Sequence, residues 1–328
     1  MDTRLKARPA NVADPAVTST PADLAPLAAR AAKVRDLLRV GPGFDLAAVD
    51  ARATPGLPRR AVADQGGKEW SREQVAAIGT HLADQQERLF AQAKVGGARG
   101  RLLLVLQALD CGGKDGTIKR VAGAMNPLGL HIVGFGPPTK EERAHDFLWR
   151  IRRALPDPGV VGIFNRSHYE DVLAVRVRNL VPESTWRARY DLINQFEKEL
   201  ADDGVTIIKA MLHISYGEQR QRLLDRLNDP TKQWKFNPGD LDDRARWPDF
   251  QAAYADALAL CATPAAPWYV VPADRKWYRN WAVANLLLAA FADMGLKYPA
   301  PSFDVEEQRA RLTAEERAGR GKREMNSS

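Results

Sequence analysis

The stretch Leu102-Leu-Leu-Val-Leu-Gln-Ala-Leu-Asp-Cys-Gly-Gly-Lys-Asp-Gly-Thr-Ile-Lys-Arg120 decides the fold. An apolar run enters a Gly-Gly-Lys turn, and a segment with basic residues follows. A buried strand, a glycine turn and a helix start in that order build an anion cradle. Glycines let backbone N–H groups approach an anion closely, so Gly112 and Gly113 are candidate binding positions. The helix N-terminus adds its positive dipole end, and Lys114 adds a mobile charge.

The loop departs from the usual P-loop, which has Gly at its first position and Ser or Thr after the lysine. Ala108 and Asp115 stand at those positions. Asp110 lies inside the loop. A carboxylate beside a polyanion is costly unless a metal or a proton transfer requires it, so Asp110 is read as a magnesium ligand or catalytic base. The bland alternative is a glycine-rich turn with no ligand, and the segments further along weigh against it.

Outward from this loop, apolar strands alternate with helices. Strands are expected at Arg101–Gln107, Leu130–Phe135, Val160–Phe164, Val205–Ile214 and Trp268–Val271. Helices are expected at Pro21–Val40, Ser71–Lys94, Lys114–Met125, Thr139–Leu155, Glu183–Ala201, Ser215–Leu227, Asp249–Leu260 and Trp277–Met294. Capping boxes at Ser71/Gln74, Thr139/Glu142 and Ser215/Glu218 open three of them. This alternation predicts an α/β fold, a parallel sheet of five strands flanked by helices. Ligands of such sheets bind outside the carboxyl ends of the strands. Asp110, Asn165 and Asp274 all follow strands and are expected to share one crevice.

Three further segments carry chemistry. In Val160-Val-Gly-Ile-Phe-Asn-Arg-Ser-His-Tyr-Glu-Asp-Val-Leu173 a strand ends in Asn165 and Arg166. A magnesium-associated residue often follows such a strand, and Arg166 suits bidentate contact with a phosphoryl group. Glu170 and Asp171 crowd the same mouth, while His168 reads better as a cap or a surface histidine. Arg220–Trp247 is basic and includes Lys232-Gln-Trp-Lys-Phe-Asn-Pro-Gly-Asp240. Arg222, Arg226, Lys232 and Lys235 are spaced to lie along a chain of phosphates. Pro238-Gly239 would give a stiff tip, so the segment reads as a lid over about 216–248 that excludes water. Lastly, Val270–Asn280 has the form of a base-binding loop, with core packing of Trp277 and Tyr278 as the duller reading.

The chain has 328 residues and a formal charge of +7; 45% of its residues are hydrophobic and 27% charged. A basic surface suits an anionic partner without choosing among nucleotide, polyphosphate, nucleic acid and membrane. Two distant cysteines, Cys111 and Cys261, give neither a disulfide framework nor zinc spacing, which fits a reducing compartment. The N-terminus has no signal-peptide pattern, and the longest apolar run, Ala282–Phe291, is too short to span a bilayer. A cytoplasmic protein is expected. Residues 1 to about 21 read as disordered and 306–328 as a charged, frayed helix.

Taken together, four segments resemble the type-2 polyphosphate kinase family. They are Asp110–Arg120, Phe164–Leu173, Lys232–Phe236 and Pro272-Ala-Asp-Arg-Lys-Trp-Tyr-Arg-Asn280, and the similarity covers about Phe44 to Pro301. The resemblance implies a thymidylate-kinase-like P-loop kinase fold with a helical lid. It divides the chain into an extension (1–43), the kinase-like domain (44–303) and a tail (304–328). It implies phosphate transfer between inorganic polyphosphate and nucleotides with Mg2+, in a homodimer or homotetramer without nucleic-acid or membrane partners. Carried over by position, Asp110, Lys114 and Arg166 would be catalytic. Asp110 and Asn165 would serve the metal. Gly112, Gly113, Lys119, Arg120, Glu170, Arg222, Arg226, Lys232 and Lys235 would bind substrates. Asn165-Arg-Ser-His-Tyr-Glu-Asp171 resembles the branch that accepts nucleoside monophosphates as well as diphosphates; other branches have Asp-Arg-Ser. Ala108 replaces the family's usual Gly, and Cys111 its Ala or Ser. An ATP-dependent P-loop kinase of nucleotides or small metabolites is the alternative, and a non-catalytic polyanion binder is a third reading.

Overall fold

Five parallel strands, β1 (Arg101–Gln107), β2 (Leu130–Gly134), β3 (Val161–Asn165), β4 (Val205–His213) and β5 (Trp268–Pro272), form one sheet in the order β2-β3-β1-β4-β5. The computed structural model describes residues 21–59 and 66–325. The disorder expected of residues 1–20 lies outside them.

Each central strand is buried on both faces, so its side chains divide between two cores by the two-residue period. Leu102, Leu104 and Leu106 of β1 enter one core with Ile208, Ala210 and Leu212 of β4. That layer is closed by α1 (Pro21–Leu38), α2 (Gly66–Gly96) and α10 (Lys276–Met294). Leu103, Val105 and Ile207 face the other side, where α6 (Glu183–Asp202) and α9 (Trp247–Cys261) supply Phe196, Tyr190 and Tyr254. Trp281 and Leu287 of α10 have no exposed surface; full burial of such side chains contributes about 1.5–3 kcal/mol each. Helix α1 belongs to this core through Ala31, Val34 and Leu38.

The remaining helices are α3 (Lys114–Val121), α4 (Trp149–Arg153), α5 (Ala174–Val177), α7 (Tyr216–Asn228), α8 (Gly239–Ala245) and α11 (Val305–Met325). Strand register keeps β1, β3 and β4 level, with Leu106 opposite both Asn165 and Ala210. The loops after β1 and β3 therefore leave the sheet side by side.

Several local expectations differ from the structure. Helix α2 starts before Ser71, whose hydroxyl instead donates to the Trp277 carbonyl at 2.8 Å. The capping box at Thr139 and Glu142 does form, at 2.7 and 3.2 Å. It opens only the short turn Glu142–Ala144, because Asp146 then caps a new start through the Leu148 N–H at 3.0 Å. Helix α3 gives way after Val121 to a 3-10 turn. The Ser215 box forms by half. Its hydroxyl accepts the Glu218 N–H at 3.1 Å, while the Glu218 carboxylate turns to Arg222 at 2.7 Å.

The segment read as a lid is helical, formed by α7, a turn at Gln233–Lys235 and α8. Pro238-Gly239 opens a helix and is not a free-standing turn. Pro238 has helical backbone angles and leads into α8, while Asn237 accepts the Gly239 N–H at 3.0 Å. After α7, Asp229 accepts the Thr231 N–H at 3.0 Å and holds Lys232 at 2.5 Å.

Candidate active site

The glycine loop between β1 and α3 turns twice through left-handed backbone: Cys111 has φ 65° and Gly113 has φ 99°. The left-handed backbone at Gly113 favours glycine, and a Cβ there would also displace the buried Arg279 guanidinium. Two buried arginines brace the loop from below. Arg222 donates to the carbonyls of Cys111 at 2.9 Å and of Ala273 and Asp274 at 2.6 and 2.9 Å. Arg279 approaches the Gly112 carbonyl at 3.4 Å. Burial, then repulsion from Arg222, lowers the Arg279 guanidinium to about 9.

Arg222 was expected along a polyphosphate channel. It is 6% exposed and its donors are taken up by backbone carbonyls and Glu218, so it shapes the loop from beneath. Asp274 is also placed differently from the expected shared crevice. Its two oxygens accept the Ser215 N–H and hydroxyl, both at 2.8 Å, at the base of the lid. The Val270–Asn280 segment packs largely as core: Tyr278 is fully buried and donates to the Pro55 carbonyl at 2.8 Å, and Trp277 packs half-buried against the same cluster.

Lys114, Asp110 and Arg166 come together. The Lys114 ammonium, 8% exposed, donates to the Ala108 carbonyl at 2.9 Å. Burial, then the charge of Arg166, lowers its pKa against the pull of Asp110 and Glu170. Arg166 itself takes the left-handed region, φ 65°, at the end of β3, which turns its guanidinium back onto Asp110 at 2.7 Å. Burial works against its charge, but Glu170 and Asp110 prevail and keep it firmly protonated. Glu170 accepts from the Gln107 amide at 3.0 Å, with that amide oriented so that its oxygen faces the Ser167 N–H and hydroxyl. Burial raises the Glu170 carboxyl.

Asp115, at the place usually held by Ser or Thr, ties three elements together. Asn165 donates to it at 2.8 Å from β3, and Lys235 of the lid lies 3.7 Å from its other oxygen. Arg226 holds the lid's own fold, donating to the Lys235 carbonyl at 3.1 Å and to Asp240 at 3.3 Å. Lys232 is exposed and paired with Asp229. Lys119 and Arg120 lie exposed in the last turn of α3, away from the loop.

Beside the loop opens a cavity of about 410 Å³. Asp110, Arg166 and Glu170 form its inner wall, and Phe135, Phe147 and Val181 supply apolar surface. Arg143, Arg150, Arg178 and Arg189 ring it. Motif reading missed these four, since they belong to no fixed spacing; the one visible signal was the density of arginine over Arg143–Arg153. Arg189 is tied to Asp171 through its carbonyl at 2.9 Å and carboxylate at 3.3 Å. Arg178 reaches Asp243 of α8 at 3.0 Å and so joins cavity to lid. His168, read as a cap or surface residue, is 1% exposed and faces away from the cavity.

Asp240 gives the lid a pH dependence. Burial, then repulsion from Asp110, outweighs Arg226 and raises its carboxyl from 3.8 to about 6. Its ionised form is thus less favoured in the folded protein than in the unfolded chain. The associated stability is complete below the unfolded value and is lost as pH rises through about 6. Asp240→Asn should therefore raise Tm by about 1–3 °C near about pH 7.5 and leave it unchanged near about pH 4, by differential scanning calorimetry.

Fold and site together define a P-loop phosphotransferase with a cavity beside its glycine loop. The polyphosphate kinase 2 (PPK2) family model matches residues 69–299, and the chain belongs to that family. It is 48% identical over 243 residues to an AMP/ADP-polyphosphate phosphotransferase of Meiothermus ruber, covering 74% of this chain and 89% of that one. An ADP-polyphosphate phosphotransferase of Rhodopseudomonas palustris is 39% identical over 230 residues, covering 66% and 78%. The crystal structure of Polyphosphate Kinase 2 from Arthrobacter aurescens TC1 superposes with a TM-score of 0.82 at 46% identity, covering 86% of this chain and 97% of that one. Among the described residues, no helix is long and apolar enough to cross a membrane.

Proposed function

We propose that this protein transfers phosphoryl groups between inorganic polyphosphate and nucleotides, accepting AMP and ADP and extending to GMP and GDP. One observation carries the reading. Lys114, Asp110 and Arg166 meet where the lid and the acceptor cavity adjoin. The relative named for both AMP and ADP supports the choice of acceptors. Polyphosphate would lie under the lid near Lys232 and Lys235, with Lys119 and Arg120 offering charge farther along. The acceptor nucleotide would fill the cavity with its phosphate toward Arg166. Phosphoryl transfer depends on positioning and charge neutralisation, which lysine and arginine at a dry loop provide.

Hard oxygen donors suit Mg2+, which takes one or two carboxylates together with phosphate oxygens and water. Asp110 and the Asn165 carbonyl are the candidate ligands. Among the described residues no cluster of three His, Cys, Asp or Glu is placed to hold a metal ion. Bound there, Mg2+ would neutralise charge on the transferred group. Asp110 would orient that ion and Arg166, while Lys114 would hold the group's oxygens.

The test is purified protein with Mg2+ and long-chain polyphosphate, offered AMP, ADP, GMP or GDP separately without ATP as donor. AMP should become ADP and then ATP. Turnover of diphosphates alone would limit the acceptor range. Turnover only with ATP as donor would leave an ordinary P-loop kinase, and binding with steep salt dependence but no turnover a polyanion binder. We take the working enzyme to be a cytoplasmic homodimer or homotetramer, and sedimentation velocity would test the assembly.

A further inference from the structure

The middle of β4 holds a lysine where the strand pattern calls for an apolar residue. Lys209 is 0% exposed, between Ile207 and Met211 on the α6 side of the sheet. Its three protons are all placed: on the Glu197 carboxylate at 2.5 Å, the Tyr169 hydroxyl at 2.7 Å and the Cys261 carbonyl at 2.7 Å. Glu197, 1% exposed, accepts from Tyr169 at 3.0 Å and lies 3.2 Å from His168 Nε2. Taking both charges out of water costs several kcal/mol per ion, and well-packed apolar substitutes for such pairs are often as stable or more so. Stability alone is thus a poor reason for this pair.

Its contacts supply another reason. His168 and Tyr169 belong to the 3-10 turn His168–Asp171 that follows Asn165 and Arg166. The turn presents His168 and Tyr169 to the buried pair and Glu170 and Asp171 to the cavity. Arg166, one residue before the turn's cap, sits in left-handed backbone that a loosened turn would release.

We infer that Glu197 and Lys209 are positioning residues for phosphoryl transfer: the buried pair clamps Tyr169 and His168 and so fixes Arg166 and Glu170 against Asp110 and Lys114. The inference rests on the site reading above. Misplacement of a reacting group by about 1 Å can cost about 10²-fold in rate, so a small release of this turn is enough to matter.

Two variants test it: Glu197→Gln with Lys209→Met together, and Tyr169→Phe alone. In both, kcat for transfer from polyphosphate should fall at least about tenfold while KM for each substrate stays within about twofold. Hydrogen–deuterium exchange over residues 165–173 should quicken by about tenfold, with the β1 amides unchanged. A folded variant with kcat near that of the unmodified enzyme, or with unchanged exchange over that turn, would overturn the inference. A fall in Tm with kcat preserved would likewise make the pair structural only. Should the double variant not fold, Tyr169→Phe decides. Should the unmodified enzyme show no turnover with polyphosphate, the site reading fails instead, and the exchange experiment alone decides the clamp.

Discussion

Lys114→Ala is expected to lower kcat for transfer from polyphosphate to ADP by about 10³-fold while the protein stays folded. The ammonium sits at the start of α3, nearly buried, where a charge is worth far more than in water. Its folded partner is a single carbonyl, that of Ala108. Losing that bond leaves one acceptor unpaired, a cost of about 1–3 kcal/mol. Activity would fall much further than stability, because the charge that neutralises the transferred group is gone. Lys114→Arg should not rescue, since a planar guanidinium fork does not reproduce the compact ammonium that donates to the Ala108 carbonyl. Circular dichroism, urea unfolding and steady-state kinetics together check this. Activity within tenfold of the unmodified enzyme would remove Lys114 from the mechanism.

The second large effect is expected at Asp110. Asp110→Asn keeps shape and one acceptor for Arg166 but deletes the negative charge. We expect kcat to fall by about 10²–10³-fold. KM for polyphosphate should stay level or improve, because a carboxylate beside a polyanion opposes binding. That split separates a role in turnover from a role as a brace. Were Asp110 only holding Arg166 in place at 2.7 Å, the asparagine would preserve most of the contact and most of the rate. The magnesium dependence of the variant is a further readout: a metal-orienting carboxylate predicts a higher Mg2+ requirement.

Both predictions concern residues whose grouping was legible in one dimension. The Asp110–Lys114 loop follows its strand directly, and the glycines mark where backbone must turn. Asn165 and Arg166 end the next strand of the central layer, and parallel strands of matched register bring both ends to one edge. Basic residues gave a less reliable guide. Arg222 and Arg226 look alike in sequence and lie four positions apart on α7. One buttresses the glycine loop, while the other ties the lid turn to Asp240. His168 and Glu170 likewise sit two residues apart and face opposite ways from one short turn. Asp115 reads as a defect in the P-loop pattern, yet it links Asn165 to the lid through Lys235. Motif matching discards such a residue because its partners lie far along the chain.

What the sequence determined by itself is therefore the order of elements, the parallel sheet and the anion-binding loop. These follow from hydrophobic period and glycine placement, interactions that span a few residues. Tertiary structure decided which charged groups serve the ligand and which brace the fold. A guanidinium donates equally well to a phosphate or a carbonyl, and a lysine to a substrate or a buried carboxylate. Only the burial and partners assembled by distant elements, as at Arg222, Lys209 and Asp274, select between them.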